Sequence, residues 1–369
     1  MADHLLARYA QLLVHYCLNL QPGERLYIKT TTLAEPLVRE VYRYALRAGA
    51  SVDAELEFRE MQRIFSIEAG ETQLKQPPTL QKIAMEEYEA YLHIMAPFNL
   101  HEDHNAISAD KSALRQAAMQ PIHNAYSHRT ASRKLKRNLC LFPTQASAQE
   151  AGMSLESYEA FVYSACCLYD PDPIESWLQV RQKQQTIVNY LNNCQEMRFI
   201  APGTDLRFNT KGRTWINSDG QTNMPSGEVY TSPVEDSVNG VIHFSLPAIF
   251  QGKTLEGVTL WVENGFIESW DAKKGRETLD NIFHTVPGSR YFGEAAIGTN
   301  YRISQPTNNI LFDEKIGGTV HLAIGQSYLQ TGGKNNSHIH LDMITDMRQG
   351  GEVWADEEKI YEKGFFLAL

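Results

Sequence analysis

Leu26–Phe58, LYIKTTTLAEPLVREVYRYALRAGASVDAELEF, carries a strand, a helix and a second strand in one short run. Leu26-Tyr27-Ile28 is a compact apolar strand, and Thr30-Thr31-Thr32 behind it offer hydroxyls that can cap a helix. Leu37, Val38, Val41, Ala45 and Ala48 then fall on one helical face. Pro36 stands near the helix start and Gly49 just past its end, the usual asymmetry of helix termini. Val52–Phe58 alternates as a strand does. Outward from this unit, Tyr91–Ala96 reads as a more buried strand. A helical stretch from Ala106 to about Ser127, interrupted near Pro121, precedes a strand at Leu139–Phe142. Such a β-α-β rhythm implies an α/β fold with a mainly parallel sheet and flanking helices.

Further along, the pattern is helical from Leu155 to about Asn193, broken at Pro171 and Pro173. The chain then changes character. Met197–Ile200 and Asp205–Asn209 flank a Pro202-Gly203 turn and read as a hairpin. Strands follow at Val241–Leu246, Thr254–Val262 and Phe266–Trp270, the last two joined at Glu263-Asn264-Gly265, a hairpin signal. A helix is expected at about Gly275–His284. The reading is therefore two domains: 1–195, α/β, and 196–369, a mixed α+β domain.

Composition narrows the function. The 369 residues are 43% hydrophobic and carry a net charge of −10, which argues against a phosphate-binding surface. The one basic run, Arg133–Arg137, reads as a solvated helix end before a strand. No apolar run approaches the ~18 residues of a spanning helix, and the first residues lack a signal-peptide layout. Five scattered cysteines without a Cys-x-x-Cys pair suit reduced thiols. No glycine-rich phosphate loop follows any strand. The expectation is a soluble cytoplasmic protein that binds neither nucleic acid nor membrane.

Chemistry concentrates in three segments: Asn223–Pro233 (NMPSGEVYTSP), Tyr291–Gly298 (YFGEAAIG), and Leu311–Met343, which includes LFDE, HLAIG and SHIHLDM. In His340-Leu341-Asp342 the imidazole and carboxylate are two apart, so on a strand they share a face, which His338 would also join. Glu228 and Glu294 sit in apolar or glycine-flanked settings, where an unpaired carboxylate is costly to bury. A dication would resolve that cost. Taken singly, each residue is more often structural: a cap, a salt bridge, a satisfied core histidine. His101-Glu102-Asp103-His104 lacks the helical context of a zinc-protease motif and reads as a polar loop. Trp354–Glu358 reads as a surface turn.

Together the three segments resemble the thermophilic metallo-aminopeptidases of bacteria, the family of aminopeptidase T and aminopeptidase S. The likeness spans nearly the whole chain, from Tyr9–Val14 and Leu20–Glu24 through Pro202–Leu206, and is densest in Asn223–Pro233 and Leu311–Asp342. It implies two divalent ions, Zn²⁺, Co²⁺ or Mn²⁺, held by Glu228, Glu294, His321, His340 and Asp342, with Glu294 bridging. It further implies Glu314 as general base, Tyr328 as oxyanion or metal contact, short peptides as substrates and a homodimer. One departure stands out: about two extra residues, Gly317-Gly318 among them, separate Glu314 from His321, which loosens the assignment of Glu314. The scaffold also resembles certain ring-opening dioxygenases, for which His321, His340 and Asp342 would hold one Fe(II). Glu228 and Glu294 argue against that alternative, because a single iron does not need them. The complete ligand set likewise argues against a non-enzymatic binding protein.

Overall fold

A computed structural model of the chain describes residues 2–100 and 108–367. His101–His104 and the first residues of the helix expected from Ala106 lie outside them. The chain forms two compact units, Met1–Ile174 with Gly220–Met224, and Glu175–Asp219 with Pro225–Leu369.

The first unit is built on a five-stranded parallel sheet in the order Ser51–Glu57, Arg25–Thr31, Ala90–Met95, Lys136–Leu141, Asn223–Met224. This is the expected α/β class. Helix Glu35–Arg47 buries Leu37, Val38, Val41 and Ala45, the face legible in the sequence. Helix Ala109–Ala131 corrects the expected break, because it runs unbroken through Pro121. Proline removes one N–H donor, and packing of the next residue, Ile122, with Tyr27, Ala84, Met85 and Leu135 holds the helix in place. The basic run spans the turn after this helix, where Arg133 has φ 56°, and the start of the strand at Lys136. Thr144 caps helix Gln145–Glu150, its hydroxyl accepting from the Ser147 N–H. Thr144→Ala is expected to destabilise the first unit by about 1 kcal/mol, measured as a lower urea midpoint with unchanged slope.

In the second unit the chain is antiparallel. The division falls at Ile174/Glu175 and not near residue 195, so helix Pro173–Leu191 lies almost wholly with the second unit. The reason is packing: Val188 and Leu191 join the hydrophobic cluster of Met197, Phe199, Leu206 and Phe208. The eight-stranded antiparallel sheet includes both expected hairpins, Glu196–Ala201 with Thr204–Asn209 and Val258–Glu263 with Phe266–Asp271. The expected helix spans Arg276–Thr285. A five-stranded antiparallel sheet completes the unit, ordered His340–Asp346, Thr319–Gly325, Phe292–Gly298, Glu228–Thr231, Ile216–Ser218. One face of this sheet, with Val229, Ala295, Ile297, Val320, Leu322, Ile324, Leu341 and Met343, belongs to the hydrophobic core. Among the described residues no helix is long and apolar enough to cross a membrane. No disulfide joins the five cysteines, all of them described.

Candidate metal centre

The opposite face of the five-stranded sheet carries the polar residues. Strand alternation puts every second side chain on one side, and the register lines them up across four strands. Glu294 lies opposite Ala323, and Ala323 opposite Asp342. His321 pairs with Ala296, Glu228 with Gly298, and His340 with Gly325. The small residues Ala296, Gly298, Ala323 and Gly325 therefore face the long polar side chains and leave room for them to converge. Gly325 is obligatory for a further reason. Its φ is +93°, and a Cβ there would stand 2.2 Å from the Ile339 carbonyl oxygen.

Three overlapping groups result: Glu228–Glu294–His321, Glu294–His340–Asp342, and Glu314–His321–Asp342, with ligand atoms of each group within 4.8 Å of one another. Glu294 is shared by the first two. Glu228, Glu294, His321 and Asp342 are each at most 8% exposed. His321 Nε2 lies 3.5 Å from Glu228 Oε2 and 3.8 Å from Glu294 Oε1. His340 Nε2 lies 3.0 Å from Glu294 Oε2 and 3.4 Å from Asp342 Oδ1.

Five polar atoms here are buried without a hydrogen-bond partner: Glu228 Oε2, both ring nitrogens of His321, His340 Nε2 and Asp342 Oδ1. Buried polar atoms are normally satisfied, so a cluster of such atoms with nitrogen and carboxylate donors fits a divalent cation. His340 adds a specific sign. Its Nδ1 is 2.8 Å from the Gln326 carbonyl oxygen, which can only accept, so Nδ1 carries the proton and Nε2 turns to the cluster. This is how protein groups fix the tautomer of a ligating histidine.

Electrostatics in the metal-free cluster follow from crowding. Burial raises Glu228 and pushes Glu314 up to about 8. Burial opposes charge on the histidines, but neighbouring carboxylates outweigh it and push His321 up to about 9 and His340 up to about 12. Burial also works against Asp342, yet His340 pulls it down to about 2.

Glu314 stands at the end of the short helix Ile310–Asp313. Asp313, beside it, serves the fold. Its Oδ1 accepts from the Thr307 N–H at 2.7 Å and the Thr307 hydroxyl at 2.9 Å, fastening the turn. Tyr328 is 37% exposed. Its ring lies 5.1 Å from that of His340 and 5.4 Å from that of Tyr230. Burial and the carboxylates around it raise its hydroxyl well above the ordinary range, which keeps it a donor at neutral pH. His338 does not join the cluster: it is exposed, because the strand begins only at His340 and alternation does not reach back to 338. Sequence reasoning missed Lys315. Its side chain is 0% exposed, with Nζ 3.7 Å from Glu228 Oε1 and paired to Glu314. Within Asp-Glu-Lys it reads as part of a solvated charge run, and no periodicity marks it as buried.

A buried carboxylate–histidine cluster on this two-unit scaffold defines a candidate site for divalent metal ions. The family model for thermophilic metalloproteases (M29) matches residues 2–366. The chain belongs to this family and is a peptidase. It is 29% identical to aminopeptidase 2 of Geobacillus stearothermophilus over 92% of this chain and 91% of that one. It is 28% identical to aminopeptidase PepS of Streptococcus thermophilus over 93% and 92%. Wild-type AmpT from Thermus thermophilus has the same fold, with a TM-score of 0.83 at 24% identity over the full length of both chains. The alternative of a mononuclear iron oxygenase finds no support. His321 and His340 fall in different groups, each accompanied by a glutamate, and the family is one of proteases.

Proposed function

We propose that this protein is an aminopeptidase that removes N-terminal residues from peptides with two divalent ions held by Glu228, Glu294, His321, His340 and Asp342. The observation that carries the reading is the sharing of Glu294 between two groups of buried ligands. One carboxylate with two oxygens suits a bridging position. The names of the similar enzymes, aminopeptidases throughout, support attack at the N-terminal bond. Mixed oxygen and nitrogen donors suit Zn²⁺, Co²⁺ or Mn²⁺. The family resemblance also favours a homodimer, and five cysteines without a disulfide suit a cytoplasmic location.

When bound, such ions lower the pKa of water from ~15.7 towards ~7 and polarise a carbonyl. The chain supplies the rest. Glu314, raised towards neutrality by burial, accepts the proton of the attacking water and delivers it to the leaving amine. Tyr328 donates its hydroxyl to the oxyanion that develops on the scissile carbonyl. The small residues facing the cluster leave space for the substrate's backbone.

The reading is tested with Leu- and Ala-p-nitroanilide. Hydrolysis is expected to disappear on thorough chelation and to return with Zn²⁺, Co²⁺ or Mn²⁺, at two ions per chain by elemental analysis. Turnover that persists in metal-free protein refutes it.

A further inference from the structure

Lys315 is a full positive charge inside a site read as a metal centre, and its placement has a structural cause. Its N–H donates to the Phe312 carbonyl at 3.0 Å, and its carbonyl accepts the Asn300 N–H at 3.0 Å. Gly317 N–H then donates to the Asn300 carbonyl at 2.9 Å. The two glycines make this return possible. A Cβ at Gly317 would stand 2.5 Å from the Tyr301 ring, and Gly318 has φ +95°. The segment between Glu314 and His321 thus folds its backbone against Asn300 and Tyr301, and the Lys315 side chain is fully buried in the site.

Inside, the ammonium forms ion pairs with Glu228 and Glu314. Glu228 belongs only to the Glu228–Glu294–His321 group, whereas His340 belongs only to the Glu294–His340–Asp342 group. A buried cation that already neutralises part of the charge on Glu228 opposes a dication at that ligand, and exclusion of bulk water strengthens the opposition. The same ammonium offsets one of the four carboxylates, Glu228, Glu294, Glu314 and Asp342, that would otherwise crowd the metal-free site.

We propose that Lys315 makes the two metal positions unequal, so that Glu294–His340–Asp342 fills first and tightly while Glu228–Glu294–His321 fills second and weakly against the resident ammonium. This rests on the two-metal reading above. Its consequence is a chain that retains one ion at low metal supply, with activity following the occupancy of the second.

The test is a titration of the metal-stripped full chain with Co²⁺, read by its visible absorption and by calorimetry. Wild type is expected to show two phases at least about tenfold apart in affinity. His340→Ala removes the tight phase and Glu228→Gln only the weak one. Lys315→Met, which keeps an unbranched chain one atom shorter and without the charge, tightens the weak phase by on the order of tenfold or more and leaves the tight phase in place. Equal affinities in wild type, a reversed assignment in the two ligand variants, or a folded Lys315→Met with wild-type affinities overturns the proposal. If Lys315→Met does not fold, Lys315→Gln, also uncharged, makes the same comparison: a tightened weak phase is expected, and wild-type affinities overturn the proposal. A wild-type chain that takes up no Co²⁺ refutes the metal-centre reading itself, a result distinct from two phases indifferent to Lys315.

Discussion

Glu294→Gln is expected to abolish peptide hydrolysis while leaving the protein folded. The side chain is the one member common to Glu228–Glu294–His321 and Glu294–His340–Asp342, so on the two-metal reading its loss weakens both positions at once. Loss of a mere supporting partner at such sites costs ~10–100-fold, and removal of a shared ligand is expected to exceed that range in kcat/KM. Glutamine keeps the shape and removes the charge, so the loss reports on charge and ligation more than on packing. Stability without metal should fall as well. Glu294 lies 3.0 Å from His340 Nε2 and 3.8 Å from His321 Nε2, and removing one partner of buried charge pairs is destabilising. The variant is therefore expected to unfold earlier than wild type when both are stripped of metal, and by a larger margin when both are loaded, because wild type gains more from binding. p-Nitroanilide turnover, elemental analysis and thermal melts with and without metal check this. A variant within tenfold of wild-type activity at full metal content would show that Glu294 is not shared.

Phe292→Ala is expected to remove roughly 3–5 kcal/mol from the second unit. Phe292 is 0% exposed, lies in the main hydrophobic cluster and stands opposite Ile324 at the start of the Glu294 strand. A bulge follows immediately, between Phe292 and Glu294, and the ring anchors the strand on the core side of that irregularity. At about 2–4 °C per kcal/mol for a unit of this size, the second unit's transition falls by roughly 6–20 °C. The two compact units need not melt together, so the shift belongs in the transition followed by the second unit's own tryptophans. Metal affinity should fall as well, because the strand carrying Glu294 is less firmly held. A loss under about 1 kcal/mol would mean that neighbouring side chains collapse into the space.

Helix Glu35–Arg47, the two expected hairpins of the second unit and helix Arg276–Thr285 lie close to where periodicity and turn residues put them. Their signals are local: a 3.6-residue apolar repeat, a proline or glycine at an end, an Asn-Gly pair. Pro121 misled because a local rule was outweighed by the packing of Ile122. The association of helix Pro173–Leu191 with the second unit escaped because the partners of Val188 and Leu191, Met197, Phe199, Leu206 and Phe208 among them, come from strands further along the chain.

The candidate site divides along the same line. The sequence by itself determined the residue types, the shared face of His340 and Asp342, and, through its motifs, membership of a metalloprotease family. It also drew attention to the Gly317-Gly318 segment before His321 without revealing how that segment folds. Only the tertiary structure decided that Ala296, Gly298, Ala323 and Gly325 line up to open the polar face, that His338 lies outside it, and that Lys315 lies inside. Which side chains share a strand face is set by alternation within a few residues. Which strands meet, and in what register, is set by burying the opposite face against a core assembled from distant segments, and no short stretch of sequence contains that information.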